Sequence, residues 1–149
     1  MAPLKRHAAL VPFSHEHRHI LFLAQLLKKG SPKFQGYPTD LEGKVKYARS
    51  FFTQQLRPHI IKEEQVLFPR VTPLSPQIQE LVQELKEEHL QMVSLFEAWM
   101  TALPDLDDLN QAGFLIERHV RKEERVLFSL IQQFSDEELL KEIGEMVSS

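Results

Sequence analysis

Residues His59 to Phe68 read HIIKEEQVLF, and residues His119 to Phe128 read HVRKEERVLF, so that seven of ten positions recur sixty residues later. The repeated part contains a histidine and, four positions on, a glutamate. In an α-helix, positions i and i+4 lie one above the other on the same face. Each copy therefore offers an imidazole and a carboxylate converging on one point. A chain that does this twice is most simply read as building one metal site from two helices.

The rest of the sequence narrows the chemistry of such a site. The chain has 149 residues, 42% hydrophobic and 26% charged, which fits one soluble domain with a buried core. Net charge is -3 with acids and bases interleaved, so no nucleic-acid surface is expected. Cysteine is absent, which removes thiolate ligands and disulfides and leaves imidazole and carboxylate as the strong metal donors. No apolar run approaches the ~20 residues that span a bilayer. The opening MAPLKRHAALVPF has two basic residues but no long apolar core or cleavage signal, and a cytoplasmic protein with no membrane partner is the expectation.

Scarce glycine, with proline clustered at the breaks between periodic stretches, predicts an all-α chain. Ser14 is the candidate N-cap of a first helix running to about Lys29, before Gly30-Ser31-Pro32. A second helix starts after Thr39 or Asp40 and reaches about Phe68, with Pro69 ending it and Pro58 expected to kink it. Ser75-Pro76 begins a third, to about Ala102, and a fourth runs from about Leu106 to Phe134. Ser135 and Glu138 form a capping box for a short last helix. Short loops between long helices favour an up-down-up-down antiparallel four-helix bundle, a single domain over 1–149 with its core at about 10–134.

Helical phase then sorts the seven histidines. His17 is followed on its own face by Ile20, Leu21, Ala24 and Leu27, whereas His15 and His19 lie about 200° away from it. His59 follows Phe52 and Leu56, and His119 follows Leu115 and Ile116; Val66-Leu67 and Val126-Leu127 read as core beyond them. His89 sits on the stripe Ile78, Leu81, Val82, Leu85, Met92, Val93 and Phe96. Four imidazoles with Glu63 and Glu123 facing one core are costly unless paired or metal-bound. Two divalent cations sharing the two carboxylates resolve that cost, with iron favoured by ligand softness and manganese or zinc behind it. Glu64 and Glu124, turned about 140° from the histidines, read as solvated or as supporting a ligand from outside.

These residues resemble the hemerythrin-like, or HHE cation-binding, family of bacterial single-domain type. The matching stretches are SHEHRHIL, HIIKEEQVLFP, EEHLQM and HVRKEERVLF, covering about Leu10 to Phe134. The resemblance implies a four-helix bundle around a non-haem di-iron centre, bridged by carboxylates and a solvent-derived oxygen, with ligands His17, His59, Glu63, His89, His119 and Glu123. Oxygen-carrying members place a second histidine four residues on in the third helix, where this chain has Val93, and take the fourth-helix carboxylate at +5, where the stripe here favours Glu123 at +4. The expectation is a module that binds or senses dioxygen, nitric oxide, peroxide, or iron or redox state. The alternative is a di-iron enzyme acting on peroxide or ferrous iron, or donating iron for cluster repair, with His15, His19 or Glu124 as further candidate ligands. A phosphotransfer bundle would need an exposed histidine and explains neither HxxxE unit.

Overall fold

The computed structural model describes residues 5–148, all of the helical prediction; residues 1–4 of the N-terminal stretch, and residue 149, lie outside it. Five helices form, with no strand among the described residues: α1 Val11–Leu27, α2 over 41–71, α3 Pro76–Trp99, α4 over 106–134 and α5 Glu137–Ser148. Among the described residues no helix is long and apolar enough to cross a membrane.

The chemistry of the ends explains most boundaries. Ser75 caps α3 by accepting from the Ile78 N–H at 3.1 Å, with Pro76 in the first turn where its missing donor is not needed. Asp105 and Asp108 cap α4 reciprocally. Three expected ends are corrected. The first helix begins at Val11 with Pro12 in its first turn, so Ser14 lies inside it and its hydroxyl is free for another partner. Asp136, whose carboxylate accepts from the Leu139 N–H at 2.8 Å, caps α5, while the Ser135 hydroxyl is buried without a partner. The second helix runs through both prolines to Val71.

That continuity has a local cause. Before each proline the backbone widens into a π turn, over Phe52–Leu56 and Glu63–Leu67, with Arg57 N–H bonding the Phe52 carbonyl and Phe68 N–H the Glu63 carbonyl. A widened turn relieves the crowding that a proline ring imposes on the preceding turn. The same π turn recurs at Glu123–Leu127, where no proline follows. The turn at Glu63–Leu67 therefore belongs to the repeat, and in both copies it starts at the buried glutamate, whereas the turn at Phe52–Leu56 lies outside the repeat. The widening also shifts the phase beyond it, which is why Val126, expected in the core, is 42% exposed.

Packing divides the interior into two apolar clusters. One contains Ile20, Leu23, Leu27, Val45, Phe52, Phe96, Trp99 and Ile116, with Phe52 and Phe96 stacked at 5.0 Å. The other contains Phe13, Leu67, Phe68, Leu85, Leu127, Phe128, Ile131 and Ile143 of α5. Each of the four long helices contributes residues to both clusters. Helix α1 comes very close to α4 at Gly113, where a Cβ would stand 2.7 Å from the Ala24 carbonyl oxygen. Between the clusters lies a thin polar layer, one turn deep on each long helix.

Candidate metal centre

That layer consists of His17, His59, Glu63, His89, His119 and Glu123, the six residues that helical phase singled out, each at most 4% exposed. They are also the buried polar or charged residues among those described. Their donor atoms fall into two groups, His17, His59, Glu63 and Glu123, and Glu63, His89, His119 and Glu123, within each of which the atoms lie within 4.8 Å of one another. The two glutamates belong to both groups.

The carboxylates divide their oxygens between the groups. Glu63 Oε2 lies 3.3 Å from His59 Nε2 and 3.6 Å from His17 Nε2, while its Oε1 lies 3.1 Å from His89 Nε2. Glu123 Oε2 lies 3.5 Å from His17 Nε2, while its Oε1 contacts His119 Nε2 and lies 3.8 Å from His89 Nε2. None of these approaches to Glu63, nor those of His17 and His89 to Glu123, has hydrogen-bond geometry. The Nε2 atoms of His17, His59 and His89 and all four glutamate oxygens are buried without a hydrogen-bond partner. Buried polar atoms left unpaired each cost on the order of 1–3 kcal/mol. Seven of them aimed at one point are a donor set that fits cations.

The outer face of every imidazole is occupied. His59 Nδ1 bonds Glu16 Oε1 at 2.7 Å, His89 Nδ1 bonds Glu64 Oε2 at 2.7 Å, His119 Nδ1 bonds Glu88 Oε1 at 2.7 Å, and His17 Nδ1 bonds Glu124 Oε2 at 2.5 Å. An ionised carboxylate only accepts, so each Nδ1 carries the proton and, in the neutral ring, Nε2 presents its lone pair inward. The pairing runs in one direction: a glutamate of each long helix holds the histidine of the next, and α4 closes the ring onto α1. Aromatic packing follows the same scheme, with Phe68 stacked on His89 at 5.8 Å and Phe128 on His17 at 5.6 Å.

Charge is concentrated accordingly. Burial opposes ionisation of every group here, yet the mutual attraction of imidazole and carboxylate prevails. Burial pushes the His59 pKa down, but Glu63 and Glu16 raise it to about 9. In His89 burial is likewise outweighed, by Glu123, Glu63 and Glu64, which raise it to about 11. His17 and His119 also move up against burial, through Glu123 and their outer glutamates. Burial and the neighbouring Glu63 both push Glu123 up, but His119 brings it to about 2, and Glu63 is held well below the usual carboxylate range by His59 and His17 against its burial. The metal-free layer thus holds protons where cations would otherwise sit.

His15 and His19 are exposed and lie away from the layer. Glu124 turns its carboxylate to His17 Nδ1, outside the convergent donors. Helical phase missed Glu16 and Glu88. Their signal was available: each directly precedes an inward histidine, in SHEHRH and EEHLQM, and Glu64 and Glu124 directly follow an inward glutamate. A residue about 100° from an inward one stands at the seam with the adjacent helix.

With this geometry in place, comparison with known families is decisive. The family model described as hemerythrin HHE cation binding domain matches residues 11–131, and the chain belongs to that family. No curated protein and no solved structure gives a match.

Proposed function

We propose that this chain is a non-haem di-iron protein, an up-down-up-down antiparallel bundle that binds a small ligand such as dioxygen, nitric oxide or peroxide and so carries, senses or reports it. The observation behind this reading is the set of seven unpartnered buried donor atoms, grouped so that two glutamates are shared. In it, His17 and His59 would hold one cation and His89 and His119 the other, with Glu63 and Glu123 available to both. Two imidazoles and shared carboxylates suit iron, with manganese and zinc as competitors. Iron bound there would supply Lewis acidity and electron exchange.

The chain's own residues do the rest. The glutamate ring fixes each imidazole with Nε2 inward. A closed cavity of about 10 Å³, walled by Ile20, Leu56, Ile60, Met92, Ile116 and Val120, touches His59, His89 and His119. That is the size of a single water. A space so small offers an organic substrate no room, which favours a role with a small ligand over an enzyme of larger substrates. The location proposed is the cytoplasm.

The test is metal analysis and an absorption spectrum of protein reconstituted with iron. Two iron atoms per chain, with oxo-bridged ferric absorption that responds to oxygen, nitric oxide or peroxide, are expected. Protein that takes up no iron, or iron whose spectrum none of these ligands alters, overturns the reading.

A further inference from the structure

The repeat builds two groups of inner donors that are alike, but what holds those donors differs between them. On the His17/His59 side, the Glu124 carboxylate accepts from the Ser14 hydroxyl at 2.8 and 3.0 Å as well as from His17. Arg6 lies 3.6 Å from the same carboxylate, bonds the Glu124 backbone carbonyl at 2.6 Å and covers the Phe128 ring. Glu16, which holds His59, is itself held by Lys62, and the Phe13 ring meets His59 edge-on at 6.2 Å. On the His89/His119 side, Lys122 holds Glu88 at 2.6 Å. Glu64, however, accepts only from His89 among the described residues, whereas Glu16, exposed to a similar degree, is also held by Lys62. No phenyl ring packs against His119 among the described residues.

The geometry points to two unequal cation positions: the one between His89 and His119 exchanges its cation readily, the one between His17 and His59 retains it, and Glu64 is the positioning residue that sets the difference. This rests on the two-cation reading above. For a cation to leave, an imidazole must swing its Nε2 away, and its Nδ1 hydrogen bond must stretch or break. A carboxylate fixed by Ser14 and Arg6 resists that motion. Glu64 moves with its ring or yields to water, because among the described residues nothing but His89 holds it.

The measurement is made on the full-length chain loaded anaerobically with ferrous iron and mixed with excess bipyridine, with the colour of the released complex followed in time. Two iron atoms should leave in two phases of equal amplitude, about tenfold apart in rate, the scale on which outer partners of metal-bound histidines act. Glu64→Ala should speed the fast phase by about tenfold and leave the slow phase alone. Ser14→Ala should speed only the slow phase, and Ser14→Thr, which keeps the hydroxyl, should restore it. Because Ser14→Ala removes a single hydroxyl, the pair of serine variants decides the matter even where Glu64→Ala does not fold. Two atoms leaving at one rate, or Ser14→Ala accelerating the fast phase, overturn this inference and leave the two-cation reading standing. Fewer than two iron atoms bound by the unsubstituted protein overturn both.

Discussion

The two copies of the repeat, 59–68 and 119–128, are best understood side by side. Five of their seven identical positions do the same job twice. The histidine points inward, the lysine holds the glutamate that precedes the neighbouring helix's histidine, the first glutamate belongs to both donor groups, the second reaches the next helix, and the phenylalanine stacks on the histidine found there. The copies part where they meet other segments. Glu124 lands beside Ser14 and Arg6, whereas in α3 the residue three before the histidine is Lys86, exposed and without a hydrogen bond to Glu64. Duplication thus accounts for the donors, and the unrepeated surroundings decide how firmly each is held.

The harshest way to break this comparison is at the shared carboxylates. Glu63→Ala and Glu123→Ala should each abolish binding of both cations, because each residue serves both groups. Metal content by mass spectrometry should fall to near zero in both variants; a variant that keeps one tightly bound cation would show that its glutamate does not bridge. Next in size is cation removal. A ligand that binds only the folded state at about 1,000 times its Kd adds about 4 kcal/mol. Chelation should lower the melting temperature correspondingly, and an unchanged melting temperature would uncouple the site from folding.

The dependence on pH separates the two states of the layer. In metal-free protein the raised histidine pKa values, reached against burial through the facing glutamates, contribute stability that is complete below about 6.5. That contribution is lost as pH rises through about 9 for His59 and about 11 for His89. The lowered glutamates contribute stability present above about 4.5 and lost as pH falls towards about 2 for Glu123. Metal-free protein should therefore melt highest between about pH 4.5 and 6.5. The increment added by the cation should grow with pH, since metal displaces protons from the imidazoles. Thermal melts across pH 4–10 with and without iron check both slopes; parallel curves would show that protons and cations do not compete.

A smaller contrast tests packing. Gly113 and Thr53 each stand six residues before the histidine of a copy, outside the repeat itself. Gly113→Ala drives a methyl against the Ala24 carbonyl and should cost about 1–3 kcal/mol, whereas exposed Thr53→Ala should stay within about 0.5 kcal/mol. Equal effects in denaturant melts would mean that α1 and α4 can part at no cost. The smallest effect belongs to Lys62→Met and Lys122→Met, each expected to cost at most about 1 kcal/mol and by similar amounts, since both ion pairs are partly exposed.

The sequence revealed the inner layer because burial imposes helical phase, and phase is legible in one dimension. His17, His89 and the two HxxxE units stood on apolar stripes, and the fold brings all six together. The outer ring was less legible, since Glu16 and Glu88 act across a seam between helices and no periodicity within one helix records that. Ser14 looked like a cap because serine before a polar run usually is one, yet its hydroxyl serves Glu124 from inside the helix. Val126 was misplaced because the π turn that begins at Glu123 alters the register, and Pro69 because the π turn that begins at Glu63 relieves the crowding that would end the helix.

The glutamate ring carries a consequence for how the molecule matures. No long helix completes its own histidine, and each supplies the part that its successor lacks. A chain with three helices docked leaves one imidazole unaimed and one carboxylate idle, so an incomplete bundle grips a cation poorly. The ring therefore ties the aiming of every inward imidazole to the docking of all four long helices.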